Sequence, residues 1–247
     1  MIRGLSAQEI LSIWDVAQHQ HPVQLALTIL SMVLPELSPD ELLHLSIGQR
    51  DAYLLAVREK TFGSRFASYA ECPHCHERLE FSFNVADIQA QDMPDGKQQH
   101  LEHAVSIEGY ELRFRLPNSL DLAAIAHCRE LAVAHTLLLQ RCIEHIEQDG
   151  VVVPLEDVPE AVTSGLTKSM TRCDPLAEVL FNLSCPVCKQ EWSILFDILA
   201  FLWTEISVQA KRLLLEVHTL ARAYGWREAD ILSLSVTRRQ FYLEMVT

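Results

Sequence analysis

Glycine is scarce in this 247-residue chain: the eight that occur are never closer than thirteen positions apart. No phosphate-cradling loop of the G-x-G-x-x-G or G-x-x-x-x-G-K kind can be built from such spacing, and no G-x-S-x-G elbow or H-E-x-x-H helix is present. A non-catalytic protein without a small-molecule substrate is therefore the expectation. Cations are scarce too, 20 Lys and Arg against 33 Asp and Glu, for a net charge of -13. That balance repels a phosphate backbone unless the few cations gather on one face, so nucleic acid is an unlikely partner. Long hydrophobic runs are missing as well. The most apolar stretch, Val23 to Leu34, is too short to span a bilayer, and the opening Met-Ile-Arg-Gly-Leu-Ser lacks the layout of a signal peptide. The expected setting is the cytoplasm, with no membrane partner. Seven cysteines, an odd number, point to thiols or metal ligands rather than a disulfide framework.

What is present is a globular composition, 49% apolar and 21% charged. The first sixty residues read as three helices with a short helical turn between them. Ser6 with Glu9 is a capping box, Pro22 opens a second and nearly all-apolar helix, and Ser38-Pro39-Asp40-Glu41 starts the short turn. Ser46 with Gln49 caps a helix running to Phe62, with Gly63 as its left-handed stop. Beyond Tyr69 the period changes to two, as Leu79, Phe81, Phe83 and Val85 alternate with polar residues. Gln89 to His103 reads as an exposed loop. Val105 to Ile107, a turn at Glu108-Gly109, and Tyr110 to Leu116 read as a hairpin. A helical stretch is expected from about Leu120 to Ile146, broken near His127, and a further helix from Pro159 to Arg172. Strand character then runs from Leu176 to Phe196, and the remainder is helical, with Gly225 ending its longest helix.

One constellation carries specific chemistry. Cys72-Pro73-His74-Cys75 is followed at the fourth residue by Leu79, then Phe81 and Phe83. Cys185-Pro186-Val187-Cys188 is followed likewise by Trp192, Ile194 and Phe196, so the two units superpose without a gap. Each is preceded by strand-like sequence, Phe66 to Tyr69 and Val179 to Leu183. Strand, Cys-x-x-Cys turn, strand is the form of a zinc knuckle, and two knuckles make a closed tetrahedral site. Four soft thiolates with no open position suit one structural zinc ion. The pairs lie 109 residues apart, so their meeting is inferred from the matched strands, and a redox Cys-x-x-Cys is the rival reading. Cys128, Cys142 and Cys173 read as small packing residues, and His74, His76 and His218 as solvated or packed histidines.

The fold class expected is α+β, mainly helical: a split four-cysteine zinc ribbon of short antiparallel strands, with a long helical insertion and flanking helical segments. Its segments are an N-terminal helical region over 1–65, a first knuckle half over 66–88, a hairpin and helical insertion over 89–175, a second half over 176–198, and a C-terminal helical region over 199–247. Residues 205–247 hold six Lys or Arg and five Asp or Glu, and their helical rhythm resembles a helix-turn-helix. The alternative function is therefore a zinc-ribbon nucleic-acid-binding regulator using Arg222, Arg227, Arg238 and Arg239.

Longer-range features resemble a known family. Cys185-Pro186-x-Cys188, Trp192, Phe196-Asp197, Phe201-Leu202-Trp203, Leu213-Leu214-x-Glu216-Val217-His218, Tyr224-Gly225-Trp226, Ile231-Leu232, Arg238-Arg239 and Tyr242-Leu243 are similar to the baseplate hub assembly proteins of T-even-type phages and related contractile injection systems. Gly48-x-Arg50-Asp51, Phe62-Gly63 and Leu116-Pro117 share the likeness. The resemblance implies an assembly chaperone for the central hub, working by contact with hub, spike or tape-measure proteins in the host bacterial cytoplasm or in the assembled particle. It also implies glycine after each second knuckle cysteine, where this chain has His76 and Lys189. In a left-handed turn each such side chain costs on the order of 1 kcal/mol.

Overall fold

The computed structural model describes residues 2–89 and 103–246, so the loop expected between Gln89 and His103 lies outside the described residues. In chain order the elements begin with α1 (Ala7–Ala17), α2 (Pro22–Val33), α3 (Pro39–His44) and α4 (Ile47–Phe62). Next come β1 (Arg65–Glu71), β2 (Arg78–Asn84), α5 (Val85–Gln89), β3 (His103–Ile107) and β4 (Tyr110–Phe114). They are followed by α6 (Ser119–Ile125), α7 (Leu131–Cys142), β5 (Ile143–Gln148), β6 (Val151–Val152) and α8 (Glu160–Cys173). The chain closes with β7 (Leu180–Ser184), β8 (Glu191–Leu195), α9 (Ile198–Tyr224), α10 (Glu228–Ser233) and α11 (Val236–Glu244). This is a mainly helical α+β chain with short antiparallel strands.

Local chemistry sets many of the boundaries. Ser6 and Glu9 form a reciprocal capping box on α1, and Ser38 and Glu41 repeat it on α3. At α4 the Gln49 amide donates to Ser46 Oγ at 3.1 Å while Gln49 Oε1 accepts from the Ser46 amide at 3.0 Å. Gly63 and Gly225, at φ 97° and 68°, stop α4 and α9 in the left-handed region.

The chain divides into two compact units. One comprises Met1–Glu36, Leu54–Gly63 and Asp197–Thr247. Its axis is α9, whose 27 residues span about 40 Å at helical rise. Leu199, Leu202, Ile206, Ala210, Leu213, Val217 and Leu220 recur at helical spacing on its buried face, against α1, α2, α10 and α11. Ion pairs centred on two glutamates lie inside this helical unit. Arg58, 3% exposed, grips Glu205 through two hydrogen bonds of 2.7 and 2.8 Å. The buried Glu216 accepts from Arg239 Nε at 2.6 Å and from Arg212 Nε at 3.0 Å.

The other unit comprises Leu37–Tyr53 and Ser64–Phe196. It holds a four-stranded antiparallel sheet ordered β3-β4-β5-β6 and two separate hairpins, β1-β2 and β7-β8. Tyr110, Leu112 and Phe114 of β4 pack with Leu139 and Cys142 of α7, Ile146 of β5 and Val162, Leu166 and Met170 of α8. Burial pushes the Cys142 thiol up to about 12, which suits a core residue. Cys173 packs partly buried against the same cluster, and Cys128 is partly buried as well. Asp121 is fully buried, and Arg115 (2.6 and 2.9 Å) and Arg141 (2.8 Å) converge on it. Asp174 reaches the start of α4 and accepts the Gly48 amide at 2.9 Å. A Cβ at Gly48 would fall 2.0 Å from Asp174 Oδ1, so only glycine admits this contact.

Two expectations need correction. The helix expected to run through Ile146 ends at Cys142, and Ile143–Gln148 is a strand between β4 and β6. Ile143 and Ile146 continue the helical apolar spacing of Leu139 and Cys142, but a strand meets the same spacing here because a bulge, with Ile146 opposite Leu112 and Ile143 opposite Phe114, puts both on one face. Ladder pairing with β4 decides it. Asp149-Gly150, with φ of 52° and 77°, makes the two-residue hairpin turn of positive φ that the dipeptide favours. Strand structure also begins at Leu180 rather than Leu176, because Pro175–Ala177 is a turn of 3-10 helix.

Candidate metal centre

The two cysteine turns are built alike. In the first, the Cys72 amide donates to Glu77 O at 2.9 Å and the His76 amide to Cys72 O at 3.0 Å. In the second, 113 positions on, Cys185 donates to Gln190 O at 2.9 Å and Lys189 to Cys185 O at 3.0 Å. His76 and Lys189 sit at φ 60° and 62°, the left-handed conformation where glycine is favoured. Each turn joins an antiparallel hairpin, with Glu71 paired to Arg78 in one and Ser184 to Glu191 in the other.

An aromatic cluster holds the hairpins together. Phe66 and Phe83 stack with centroids 4.7 Å apart, Phe83 meets Phe181 at 4.5 Å and Phe196 at 5.3 Å, and Phe66 meets Phe196 edge-on at 5.5 Å. Rings from all four strand regions thus share one small core. Such pairs contribute about 1 kcal/mol each beyond their buried area. Phe83 and Phe196 occupy matching positions in the two units, so the alternating pattern already contained this core, yet its cross-hairpin pairing needed the fold.

With the hairpins joined, the thiols meet. Cys72 Sγ lies 3.6 Å from Cys188 Sγ, and Cys75 Sγ lies 3.6 Å from Cys185 Sγ. All four sulfurs fall within 4.8 Å of one another, as in a zinc ribbon. A tetrahedral ion at the usual zinc–sulfur distance of about 2.3 Å requires sulfurs about 3.8 Å apart. The cluster therefore has the size to hold one metal ion. Cys72 and Cys185 are buried, whereas Cys75 and Cys188 are partly exposed. The amide N-H of Cys188, followed by that of Val187, holds the Cys185 thiol down to about 7. Cys75 is pushed up to about 12: the Glu77 amide favours its thiolate, but burial and the three neighbouring thiols outweigh it. Four anions cannot share this space without a cation, whereas the amides aimed at the sulfurs favour thiolates once one is present. The donor set fits a metal. His74 and His76 are exposed and stand outside the cluster, and His76 Nδ1 meets Glu71 at 2.6 Å.

A family model described as T4 bacteriophage base plate protein matches residues 16–203, which include both cysteine turns. The chain belongs to this baseplate family. No match is found among curated proteins or solved structures. As a baseplate protein the chain has a structural setting for a closed cysteine cluster, and no helix among the described residues is long and apolar enough to cross a membrane. Residues 204–247 of this baseplate protein lie outside the matched segment.

The four arginines of the nucleic-acid reading fall in that last segment and are not equivalent. Arg222, Arg227 and Arg238 are exposed. Arg239 is 3% exposed and its guanidinium is committed to Glu216 and to Leu234 O. Burial removes it from any surface that could face a phosphate. Sequence spacing could not separate Arg238 from Arg239, because adjacent helical positions differ by about 100° and only packing shows which side is inward.

Proposed function

We propose that this baseplate protein is a non-catalytic assembly adaptor or chaperone for the central hub, acting by protein contact and stabilised by one structural zinc ion on Cys72, Cys75, Cys185 and Cys188. The family match carries the reading, and the closed four-thiolate cluster supports it. Zinc held by four thiolates keeps no open position for substrate and supplies a cross-link rather than a reaction. Two hairpins of five to seven residues per strand are marginal on their own in water. Joining them through a metal fixes a rigid ribbon between segments distant in sequence. Its partners are hub, spike or tape-measure proteins, met in the host cytoplasm before the particle closes.

A tagged pull-down from cells making the whole machine, analysed by mass spectrometry, tests the reading. Enrichment of hub, spike or tape-measure proteins is expected, with about one zinc per chain by metal analysis. Recovery of nucleic acid without those proteins points to the regulator instead, against which the burial of Arg239 already weighs.

A further inference from the structure

Acidic residues are spread unevenly along the chain. Residues 142–167 hold six Asp and Glu and no Lys or Arg, whereas the remainder holds 27 against 20. The four-stranded sheet concentrates that charge. Glu147 of β5 stands directly opposite Glu111 of β4, and Val152 of β6 stands opposite Glu147 in the same row. Leu112 and Ile146 of the adjacent row are buried in the core, so Glu111, Glu147 and Val152 line the outward face. Like charges directly opposite one another in a ladder are destabilising. Tyr110 pairs with Gln148, which brings the turns at Glu108-Gly109 and Asp149-Gly150 to one end of the sheet, where Glu108 and Asp149 are both exposed. Offsetting groups are few. Arg113 and His145 face each other in the next outward row, and His145 meets Glu147 at 3.1 Å. Arg115 and Arg141 are both held by the buried Asp121.

Beside this acidic row the sheet ends in an open edge. β6 is its last strand, and among the described residues no strand pairs with the far side. Exposed edges ordinarily carry lysine, proline or a bulge that discourages a further strand. This one carries two valines, both good strand formers, at 66% and 67% exposure. Gln148 and Val151 flank the two-residue turn, and the Val153 amide donates to Ile146 O at 3.0 Å. The intervening Val152 therefore points its N-H and C=O away from β5. Pro154 ends the edge, so backbone pairing alone would hold a partner weakly, and the carboxylates beside it must supply the rest.

We infer that the β6 edge takes up an extended segment of another baseplate protein as an added strand, whose Lys or Arg side chains meet Glu147 and Asp149. An added strand lies about 10 Å from β5, a gap that a glutamate and a long basic side chain close from its two sides. Main-chain bonds at Val152 give the strand its register, and its alternate side chains give specificity. Charge complementarity selects the occupant. A second copy adding its own β6 brings the same carboxylates against these, and nucleic acid is repelled by them. The inference rests on the adaptor reading and names a surface and a partner chemistry for it.

Site-specific photocrosslinking in cells that make the whole machine tests it. The photoreactive amino acid benzoylphenylalanine is placed at position 152 and, as a control on another exposed apolar site, at position 131, where Leu131 is 87% exposed. The expected result is a cross-link from position 152 to a Lys- or Arg-bearing segment of another baseplate protein, identified by mass spectrometry. Val152→Pro removes the outward N-H and should reduce capture of that protein about tenfold with the melting temperature unchanged, whereas Val152→Thr should retain it. Glu147→Lys should reduce capture as much and leave the fold intact, since it sets opposite charges across the ladder at Glu111. Full capture by either Val152→Pro or Glu147→Lys overturns the inference. So does a cross-link from 152 to a second copy, to an acidic segment or to nucleic acid. No cross-link from 152 while a baseplate protein co-purifies, with or without one from 131, overturns it and leaves the adaptor reading intact. Absence of cross-links from both positions, with no baseplate protein co-purified, removes the adaptor reading as well.

Discussion

The cysteine ribbon and the helical unit around α9 achieve order by different means. Along α9 seven apolar residues recur on one face over 27 positions, so burial accumulates continuously along one element. The ribbon has strands of five to seven residues, half of whose positions face outward, and its core is a few phenylalanine rings. A helix of this length can supply its own packing surface, whereas a two-stranded hairpin cannot. Order in the ribbon therefore depends on point contacts, four thiolates and an aromatic cluster, and order in the helical unit on a distributed apolar stripe. The same contrast holds for charge. The helical unit tolerates the buried Glu216 because two arginines neutralise it, and the ribbon's four sulfurs need a metal for the same reason.

Metal removal should widen this contrast most. Chelation, Cys72→Ser or Cys188→Ser should unfold the ribbon, since structural zinc contributes on the order of 10 kcal/mol to such sites. Far-UV circular dichroism should still report the helices of the other unit. Full metal content with wild-type melting in either variant would show that the two pairs do not share an ion. Phe83→Ala comes next, at about 4 kcal/mol in denaturant titration, because it deletes the ring that touches four others. Hydrogen exchange should place that loss in β1, β2, β7 and β8 rather than α9. Arg239→Ala should cost about 3 kcal/mol in the helical unit by leaving Glu216 with one cation, and a melting curve identical to wild type would sink the structural role assigned to that pair. The smallest effect has the opposite sign. His76→Gly and Lys189→Gly should each stabilise the metal-loaded ribbon by about 1 kcal/mol, since both positions have positive φ. A loss of stability in both would mean that their side chains make contacts worth more than the backbone strain.

Legibility in the sequence followed the range of the interaction. The capping boxes at Ser6, Ser38 and Ser46 and the glycine stops at Gly63 and Gly225 act within four residues, so spacing alone reveals them. The two cysteine turns were readable for the same reason: a Cys-x-x-Cys turn and its flanking alternation are local, and their repetition suggested that the two turns pair. At Ile143 to Gln148 local evidence pointed both ways. Apolar spacing continued the helix, while Asp149-Gly150 signalled a hairpin, and the dipeptide was the better guide.

Composition, charge, the helix ends and the four candidate ligands were thus determined by the sequence itself, because each depends on residue type and short-range geometry. The tertiary structure alone decided that Phe66, Phe83, Phe181 and Phe196 form one core, that four sulfurs gather within 4.8 Å, and that Asp174 reaches Gly48. It also decided that Arg239 is buried while Arg238 faces outward. These contacts join residues brought together only when chain entropy is overcome by simultaneous burial elsewhere, and no local pattern encodes that balance.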